Sequence, residues 1–386
     1  MEKQKQGIIL KATLLIVSSM TVMAGATIAP ALPQIEEHFS NYPSAEFLTQ
    51  LMLTLPGFFI AIFSPIFGNL IDRFGRKPAL LGSLFLYGVS GTAGIYISDL
   101  YALLASRAVL GIAVSGIMTI TNTLVGDYFE GEERSNFVGF RGSFVAFGGV
   151  VFVGLAGFLA ELGWRVPFGI YALALLVLPV AALSLYEPEL SKTKKSLQKD
   201  EIPDYPRMWV RFVWVVAFVG MLMFYNIPTL MPFYLKEVIG LQESQVGMFI
   251  GGAMFSGGLA GFFYGKVKNF LSFNTIYAIC FFLMALCFLT ISQTESAIGS
   301  LVGMVFGGLS LGLISPNHAL CLMNSAPDVL RGRVLGMLAT FVFIGQFLSP
   351  VVSRFVRDWM GSISSMFLVY AIFLGVCSIG FWIKRL

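Results

Sequence analysis

Charged residues are scarce in this sequence, and their scarcity excludes most soluble architectures. They make up only 12% of the 386 residues, whereas hydrophobic residues make up 56%. A soluble domain typically draws about a quarter of its residues from Asp, Glu, Lys and Arg. A chain of this length could form two or three soluble domains, but it lacks the charges to cover them. The composition therefore indicates an integral membrane protein.

Cysteine and histidine are also rare, and the sequence shows no cluster of reactive residues. Its four cysteines and two histidines do not have the spacing of a metal site. All four cysteines lie in apolar segments, where small packing residues are expected. They are Cys280, Cys287, Cys321 and Cys377. The sequence also lacks a nucleophile elbow and a phosphate-binding loop, so we expect no enzymatic activity, no cofactor and no metal.

The few charges are clustered, and they leave twelve charge-free runs of at least 19 residues. Each run is long enough for a helix to cross a hydrocarbon core, which needs roughly 20 apolar residues. A membrane β-barrel would instead show alternating segments of about ten residues, which the sequence lacks. We therefore predict an all-α integral membrane protein with twelve spans, numbered 1 to 12 in chain order. The runs are 12–35, 47–71, 78–98, 108–126, 142–160, 166–186, 212–235, 244–265, 269–294, 296–327, 334–353 and 359–383.

The basic residues of the connecting segments fall mainly on one side of the predicted membrane. If the N-terminus is cytoplasmic, nineteen Lys and Arg residues lie on the cytoplasmic side and four on the other. Such an excess is typical of cytoplasmic loops. We therefore expect a multi-pass protein of the plasma (cell inner) membrane with both termini in the cytoplasm. The net charge of +4 follows from this bias and does not indicate binding of nucleic acid.

One long polar segment, 187–207, divides the spans into two groups of six. Its mixed charge and its prolines are typical of a solvated linker. We expect it to join an N-terminal six-helix bundle at 1–186 to a C-terminal six-helix bundle at 208–386.

The two predicted bundles resemble each other in sequence. A shift of 197 positions aligns spans 4 and 5 with spans 10 and 11, and a shift of 199 aligns the ends of spans 1 and 7. Parallel six-helix repeats place a substrate site near the middle of the membrane, between the repeats. The matched pairs are Gly111 with Gly308, Arg134 with Arg331, Gly139 with Gly336, Phe144 with Phe341, Gly148 with Gly345, Ile28 with Ile227 and Pro33 with Pro232.

The loop between spans 2 and 3 reads GNLIDRFGRK over residues 68–77. It resembles the G-x-L-x-D-R-x-G-R-K signature of the major facilitator superfamily at every specified position. Anchoring of the loop by its basic residues alone would not explain the acid and the two glycines. The resemblance implies two six-helix bundles related by pseudo-two-fold symmetry, as in the twelve-helix drug and metabolite antiporters, with a cytoplasmic gate. The expected gate residues are Gly68, Asp72, Arg73, Gly75, Arg76, Lys77, Asp127, Arg134 and Arg141.

Span 4 contains Arg107, which is followed by Gly111 four residues later. A cation at the centre of a span costs about 2.5–3.5 kcal/mol on insertion scales, so a functional role is expected. The pair resembles the second motif of the same family, and the alternative is that the arginine reaches the outer interface. Ser115, Met118 and Asn122 follow at helical spacing and add to one partly polar face. For Arg141 in span 5, likewise, contact with the cytoplasmic surface is the alternative to a role in the gate.

The second half has its own polar residues in the middle of spans. His318 in span 10 can carry a proton near neutral pH, although a hydrogen-bonded structural role fits it equally well. The others are individually typical of packing or of hydrogen bonds between helices, but they lie in spans that line the cavity of the family resembled. The candidates for the substrate cavity or for coupling in this half are Tyr225, Asn226, Asn317, His318 and Gln346.

No Asp or Glu lies inside any of the twelve runs. Proton-coupled drug antiporters of the family resembled commonly keep such a carboxylate in span 1 or 4. The Gly-rich stretch at 148–157 resembles the family's antiporter motif in span 5, but it lacks the usual proline. A cavity without a carboxylate near Arg107 tolerates anionic or neutral amphiphiles better than organic cations.

These features favour a secondary active transporter that works by alternating access. We expect it to export small amphiphilic drugs or metabolites, with proton antiport as one mode of coupling. The alternative is an importer or facilitator of a small organic anion without an embedded proton carrier. The expected partners are a small-molecule substrate, the lipid bilayer and, in the coupled case, protons. We expect the chain to act as a monomer and without nucleic acid.

Overall fold

The structure is a computed structural model that describes residues 7–188, 205–327 and 330–383. Within these ranges, the side chains of Asn69, Asp72 and Ser135 are not described. Most of the predicted linker therefore lies outside the described residues, as does the side chain of one predicted gate residue, Asp72.

The contacts within the chain separate two compact units, Met1–Leu190 and Ser191–Leu386. The described part of the chain contains twelve helical segments that are long and apolar enough to cross a membrane. This result confirms the twelve predicted spans and the all-α fold class. Spans 1 to 6 are Ile8–His38, Ala45–Gly68 (in a helix that continues to Phe74), Arg76–Ile95, Leu100–Tyr128, Gly131–Glu161 and Val166–Ser184. Spans 7 to 12 are Arg207–Glu237, Glu243–Phe270, Phe273–Ser292, Ala297–Ser325, Arg331–Met360 and Ile363–Ile383.

Spans 1 and 7 are not continuous helices. Span 1 consists of a helix at Ile8–Ala26, a 3₁₀ turn at Ala29–Ala31 and a helix at Leu32–His38. Span 7 consists of helices at Arg207–Phe224 and Asn226–Glu237. Prolines lie at or just after both breaks, and a proline cannot donate the backbone hydrogen bond that continues a helix. They are Pro30 and Pro33 in span 1, and Pro228 and Pro232 in span 7.

The same close approach of two helices occurs in both units. A Cβ on Gly111 in span 4 would lie 2.5 Å from the carbonyl oxygen of Pro56 in span 2. A Cβ on Gly308 in span 10 would overlap the carbonyl oxygen of Ala253 in span 8. The two glycines are 197 positions apart, and so are their two partners. Small residues allow helix backbones to approach this closely in lipid.

A second helix contact follows the other sequence shift. Gly148 of span 5 packs against Ser19 of span 1, and Gly345 of span 11 packs against Phe218 of span 7. The glycines are again 197 positions apart, whereas their partners are 199 apart. The offsets of 197 and 199 positions between the two halves of the sequence thus correspond to equivalent helix contacts. The same packing arrangement occurs inside each unit.

Candidate functional site

The motif loop turns sharply at Gly75, between spans 2 and 3. Gly75 has a φ of +88°, a backbone conformation that residues with a Cβ rarely adopt. The carboxylate of Glu187 lies directly against this residue, so a Cβ there would be 3.0 Å from Oε1. The positive φ therefore favours glycine at this position, and a side chain here would also press against the carboxylate of Glu187.

Glu187 caps the N-terminus of the span 3 helix. Its Oε1 accepts a hydrogen bond from the backbone N–H of Arg76 at 2.7 Å, and its Oε2 accepts one from Lys77 at 2.8 Å. The first N–H groups of a helix lack partners within the helix and carry partial positive charge, so a carboxylate stabilises them. Because Glu187 follows span 6, this cap connects the motif loop to the first residues of the linker.

An ion pair connects the motif loop to span 4. Nε of Arg76 lies 2.5 Å from Oδ2 of Asp127, which is next to the last residue of the span 4 helix. The structure therefore brings together two of the predicted gate residues. We call the end of the first unit that carries Arg76, Asp127 and Glu187 the motif end.

The other predicted gate residues at the motif end make fewer contacts. The guanidinium of Arg73 lies 5.4 Å from the ring centre of Phe74, and a Cβ on Gly68 would have no neighbour within 4 Å. Arg134 lies beside Gly126, where an added Cβ would be 3.2 Å from Nη2. These residues are exposed or partly exposed, and their predicted role in the gate stays a prediction.

Sequence reasoning missed two contacts of the motif end. Glu187 belongs to the segment that the sequence predicts to be a solvated linker, and the sequence assigns no role to Tyr128. The hydroxyl of Tyr128 donates to the carbonyl oxygen of Tyr186 at 2.5 Å, and the two rings lie 4.5 Å apart. The signal that the sequence offers is a tyrosine and an acid, Tyr186 and Glu187, within three residues of the end of span 6. Nothing in the local sequence identifies their partners.

The cap predicts a measurable contribution of Glu187 to stability. We expect Glu187→Ala to lower the free energy of unfolding by about 1 kcal/mol, because two backbone N–H groups lose their acceptor. The matched control is Glu161→Ala, which removes an exposed acid at the end of span 5. Thermal unfolding of the purified variants measures the difference. Equal unfolding temperatures for the two variants would contradict the cap.

Arg107 is fully buried inside the first unit. Its Nη2 donates to the carbonyl oxygens of Ser90 and Gly91, each at 2.9 Å. Its guanidinium carbon lies 5.0 Å from the ring centre of Phe168 and 5.3 Å from that of Tyr171. The α-helix of span 3 ends at Gly91, so these carbonyls form the negative end of a helix dipole. The side chain therefore does not reach a surface, and its predicted contact with substrate stays a prediction.

The predicted polar face of span 4 is only partly exposed. Ser115 is buried and donates to the carbonyl oxygen of Ile112 at 2.8 Å, and Met118 is half-buried. Asn122 is exposed, and its Oδ1 accepts a hydrogen bond from Nη2 of Arg141 in span 5 at 2.6 Å. Arg141 thus binds an amide in the neighbouring span.

A buried polar network joins three spans of the second unit. Ser353 in span 11 donates to Oδ1 of Asn226 at 2.5 Å, and the hydroxyl of Tyr370 in span 12 donates to Ser353 at 3.3 Å. The amide nitrogen of Asn226 also donates to two carbonyls at the end of the first helix of span 7. Gln346 is buried in span 11, and Tyr225 is half-buried at the break in span 7. Their contact with substrate stays a prediction.

His318 and Asn317 are buried in span 10 and bind tyrosines. Nδ1 of His318 lies 3.0 Å from the hydroxyl of Tyr277. The hydroxyl of Tyr264 donates to Oδ1 of Asn317 at 3.0 Å, and the amide nitrogen of Asn317 donates to a carbonyl in span 9. These bonds join spans 8, 9 and 10, as expected for the structural alternative that the sequence left open for His318.

The opposite end of the first unit is held by Asp99 and Arg165. Oδ1 of Asp99 accepts from the backbone N–H of Ala102 at 2.7 Å, and Oδ2 accepts from the hydroxyl of Tyr42 at 2.7 Å. These hydrogen bonds, chiefly that from Ala102, lower the pKa of Asp99, and the bond to the carboxylate raises the pKa of Tyr42. Arg165 donates to the carbonyl oxygens of Gly94 and Ile95 at the end of span 3 and of Ile97 in the loop that follows.

The comparison with known families extends over both units and the motif loop. Residues 14–350 match the model of the Major Facilitator Superfamily. The chain belongs to this superfamily. It has the fold of the superfamily and is a multi-pass membrane transporter rather than an enzyme.

Relatives of this superfamily member include proteins named for export and for drug resistance. The chain is 26% identical over 380 residues to the bacillibactin exporter of Bacillus subtilis, covering 90% of this chain and 92% of the exporter. It is 24% identical over 308 residues to the quinolone resistance protein NorA of Staphylococcus aureus, covering 77% of each chain. The solved structure of the nucleoside transporter NupG has a TM-score of 0.79 at 12% identity, covering 98% of this chain and 100% of NupG. At that identity the structural similarity establishes the fold alone.

Proposed function

We propose that this transporter is a secondary active exporter of small amphiphilic drugs or metabolites and works by alternating access. Two of its relatives are named as a bacillibactin exporter and a quinolone resistance protein. In this proposal the protein acts as a monomer in the plasma membrane. The motif end and both termini lie on the cytoplasmic side, in agreement with the excess of basic residues there.

The observation that carries the transport cycle is the polar network of the motif end. Arg76, Asp127 and Glu187 join the motif loop, span 4 and the start of the linker through one ion pair and two backbone hydrogen bonds. Partly exposed ion pairs contribute about 0–1 kcal/mol. Such contacts can break and form again during a cycle, which is what a cytoplasmic gate requires. Asp72 is assigned to the same gate on the motif alone.

Proton antiport is the proposed mode of coupling. Because the charge-free runs contain no acid, a proton carrier has to lie at the end of a span or be a histidine. Asp127 is one such acid, and it forms an ion pair with Arg76. The candidate carriers are Glu36, Glu37, Glu46, Asp127 and His318.

Reconstitution in liposomes tests this function. With the cytoplasmic face outward and the lumen acidic, we expect bacillibactin, a quinolone or another amphiphile of a broad panel to accumulate in the lumen. Asp127→Asn removes the ion pair and is expected to slow uptake about fivefold, which corresponds to about 1 kcal/mol. Glu161→Gln is the matched control and should transport at the wild-type rate.

The results of the liposome experiment distinguish proton-coupled export from the alternative function and test the role of Asp127. Flux that ignores the pH gradient would favour the alternative, facilitated movement of a small organic anion. Absence of flux for the whole panel, from protein with verified orientation, would contradict a transporter of amphiphiles. Equal rates for the two variants would remove Asp127 from the gate.

A further inference from the structure

Three buried amides lie well inside spans of the second unit, and the unit itself uses only two of them. Asn226 donates to two carbonyl oxygens in span 7 and accepts a hydrogen bond from Ser353. Asn317 accepts from Tyr264 and donates to a carbonyl oxygen in span 9. Gln346 in span 11 is only 4% exposed, yet its amide forms no hydrogen bond with any described residue.

The amide of Gln346 is open to solvent. Among the described residues, the polar atoms that lack a partner and are sealed from solvent include the hydroxyl of Ser349, about one turn further along span 11. They also include Nη1 of Arg107 and Nη1 of Arg141, but neither polar atom of Gln346. The small exposed part of this side chain therefore includes its polar end, and a ligand can reach it.

Close packing of spans 7 and 11 holds this amide in place. Three contacts join the two helices, and the residues of each pair are 127 positions apart, as expected for helices that run side by side in the same direction. The pairs are Trp214 with Phe341, Phe218 with Gly345, and Asn226 with Ser353. Gln346 directly follows Gly345, where an added Cβ would be 2.5 Å from the backbone of span 7. Span 11 therefore has little freedom to rotate, and the amide is positioned before a ligand binds.

The backbone adds an acceptor at the same residue. Gln346 lies fifteen residues after Arg331, where the helix begins, and fourteen before Met360, where it ends. Pro350 follows it by four positions inside this helix. Because a proline has no N–H, the carbonyl of Gln346 does not receive the hydrogen bond that normally continues a helix. A polar group in the middle of a span is a candidate for a functional site.

The surroundings of Gln346 along both helices are uncharged. Neither 212–235 in span 7 nor 334–353 in span 11 contains an acidic or a basic residue. A charged group of a ligand would find no countercharge on these two segments, and a charge without a partner is costly away from water. An uncharged polar group does not incur this cost, and it can pair with an amide.

We propose that Gln346 binds an uncharged polar group of the transported compound that both donates and accepts hydrogen bonds. This inference rests on the proposed export function and names its substrate class, an amphiphile with a hydroxyl or carboxamide group on an apolar framework. Oε1 of Gln346 accepts from that group, and its NH₂ donates to it. Gln346 is a specificity residue in this proposal, because an analogue without the polar group leaves the amide unpaired.

A matched pair of probes tests the proposal in protein purified into nanodiscs. The probes are 2-naphthol and 2-methylnaphthalene, which have nearly the same shape and differ in a hydroxyl and a methyl group. Equilibrium dialysis against empty nanodiscs of the same lipid corrects for partition into the bilayer. Gln346→Leu should weaken binding of the naphthol about three- to tenfold, as expected for the loss of a neutral hydrogen bond, and should not weaken binding of the hydrocarbon.

The matched control is Ser349→Ala on the same face of span 11. It removes a sealed hydroxyl that has no described partner, so it should bind both probes as the wild type does.

Thermal unfolding separates a role in binding from a role in packing. Because the amide of Gln346 has no partner within the described protein, Gln346→Leu should unfold at the wild-type temperature or above it. Asn317→Leu should unfold at a lower temperature, since the hydroxyl of Tyr264 and a carbonyl in span 9 would lose their partner.

Four outcomes would overturn the proposal. They are equal binding of the naphthol by wild type and Gln346→Leu, equal loss of both probes in that variant, no binding of the naphthol by the wild type, and a loss of stability in Gln346→Leu as large as in Asn317→Leu. Transport of amphiphiles at the same rate by Gln346→Leu and wild type would remove this site and leave the export function standing. Binding of the naphthol that depends on Gln346, in protein that transports nothing, would remove the export function and keep this site.

Discussion

Replacing Gly308 with alanine is expected to lower the unfolding temperature of the transporter by about 10 °C. The added Cβ would overlap the carbonyl oxygen of Ala253, which belongs to the backbone of span 8 and cannot rotate away. Overpacking typically costs about 1–3 kcal/mol, and an obstacle made of backbone places this substitution at the upper end. Separating the two helices would also loosen the contact of Gly312 with Gly257, one turn further along the same interface.

The matched control for Gly308→Ala is Gly265→Ala in span 8, where an added Cβ has no neighbour within 4 Å. Because alanine favours a helix over glycine, this control should stabilise the protein by up to about 1 kcal/mol. Tryptophan fluorescence during thermal unfolding, in one detergent for all variants, measures both effects. If Gly308→Ala unfolds at the same temperature as the control, the close packing of spans 8 and 10 is wrong. Gly111→Ala should cause a smaller loss of the same kind in the first unit, since its added Cβ would lie 2.5 Å from the carbonyl oxygen of Pro56.

Replacing Arg107 with methionine is expected to destabilise the first unit by about 3 kcal/mol. Hydrogen bonds from a charged donor contribute about 1.5–3 kcal/mol each, and two buried carbonyls would lose theirs. The contacts of the guanidinium with Phe168 and Tyr171 would be lost as well. Methionine restores part of the apolar packing, which keeps the expected loss below the sum of these contributions.

The conservative variant Arg107→Lys separates charge from geometry. Lysine keeps the positive charge at the end of span 3 but cannot reproduce the planar guanidinium, so we expect an intermediate unfolding temperature. Binding of a neutral and an acidic amphiphile should be measured on the same preparations. If Arg107→Met unfolds like the wild type yet loses binding of the acid, the contact with substrate predicted from the sequence holds instead.

The twelve spans and the motif loop could be predicted because their signals are local. A span is recognised from the length of an apolar run, which the thickness of a membrane sets. Gly75 and Arg76 can be identified because they belong to a short sequence motif. The structure adds the physical reason for the glycine. The partner of that glycine, Glu187, lies more than 100 positions away in a segment that has the composition of a linker. Nothing near Glu187 in the chain indicates which helix it caps.

The assignments inside the spans depended on information that the sequence does not contain. Arg107 and Arg141 are both cations in predicted spans, where contact with lipid is energetically costly. For each of them the sequence leaves open a functional role or contact with the membrane surface. The structure buries the first against the end of span 3 and leaves the second beside an exposed amide. The rotation of each helix about its axis makes this difference, and that rotation follows from close contacts such as Gly148 on Ser19.

By itself, then, the sequence determined the number of spans, their division into two related sets and the loop that marks the superfamily. These properties follow from hydropathy, spacing and repetition along one chain. Only the tertiary structure decided that Glu187 binds the motif loop, that Arg107 belongs to the interior and that Arg141 meets Asn122. Each of these contacts joins different helices, so it depends on how the helices rotate and cross when they pack.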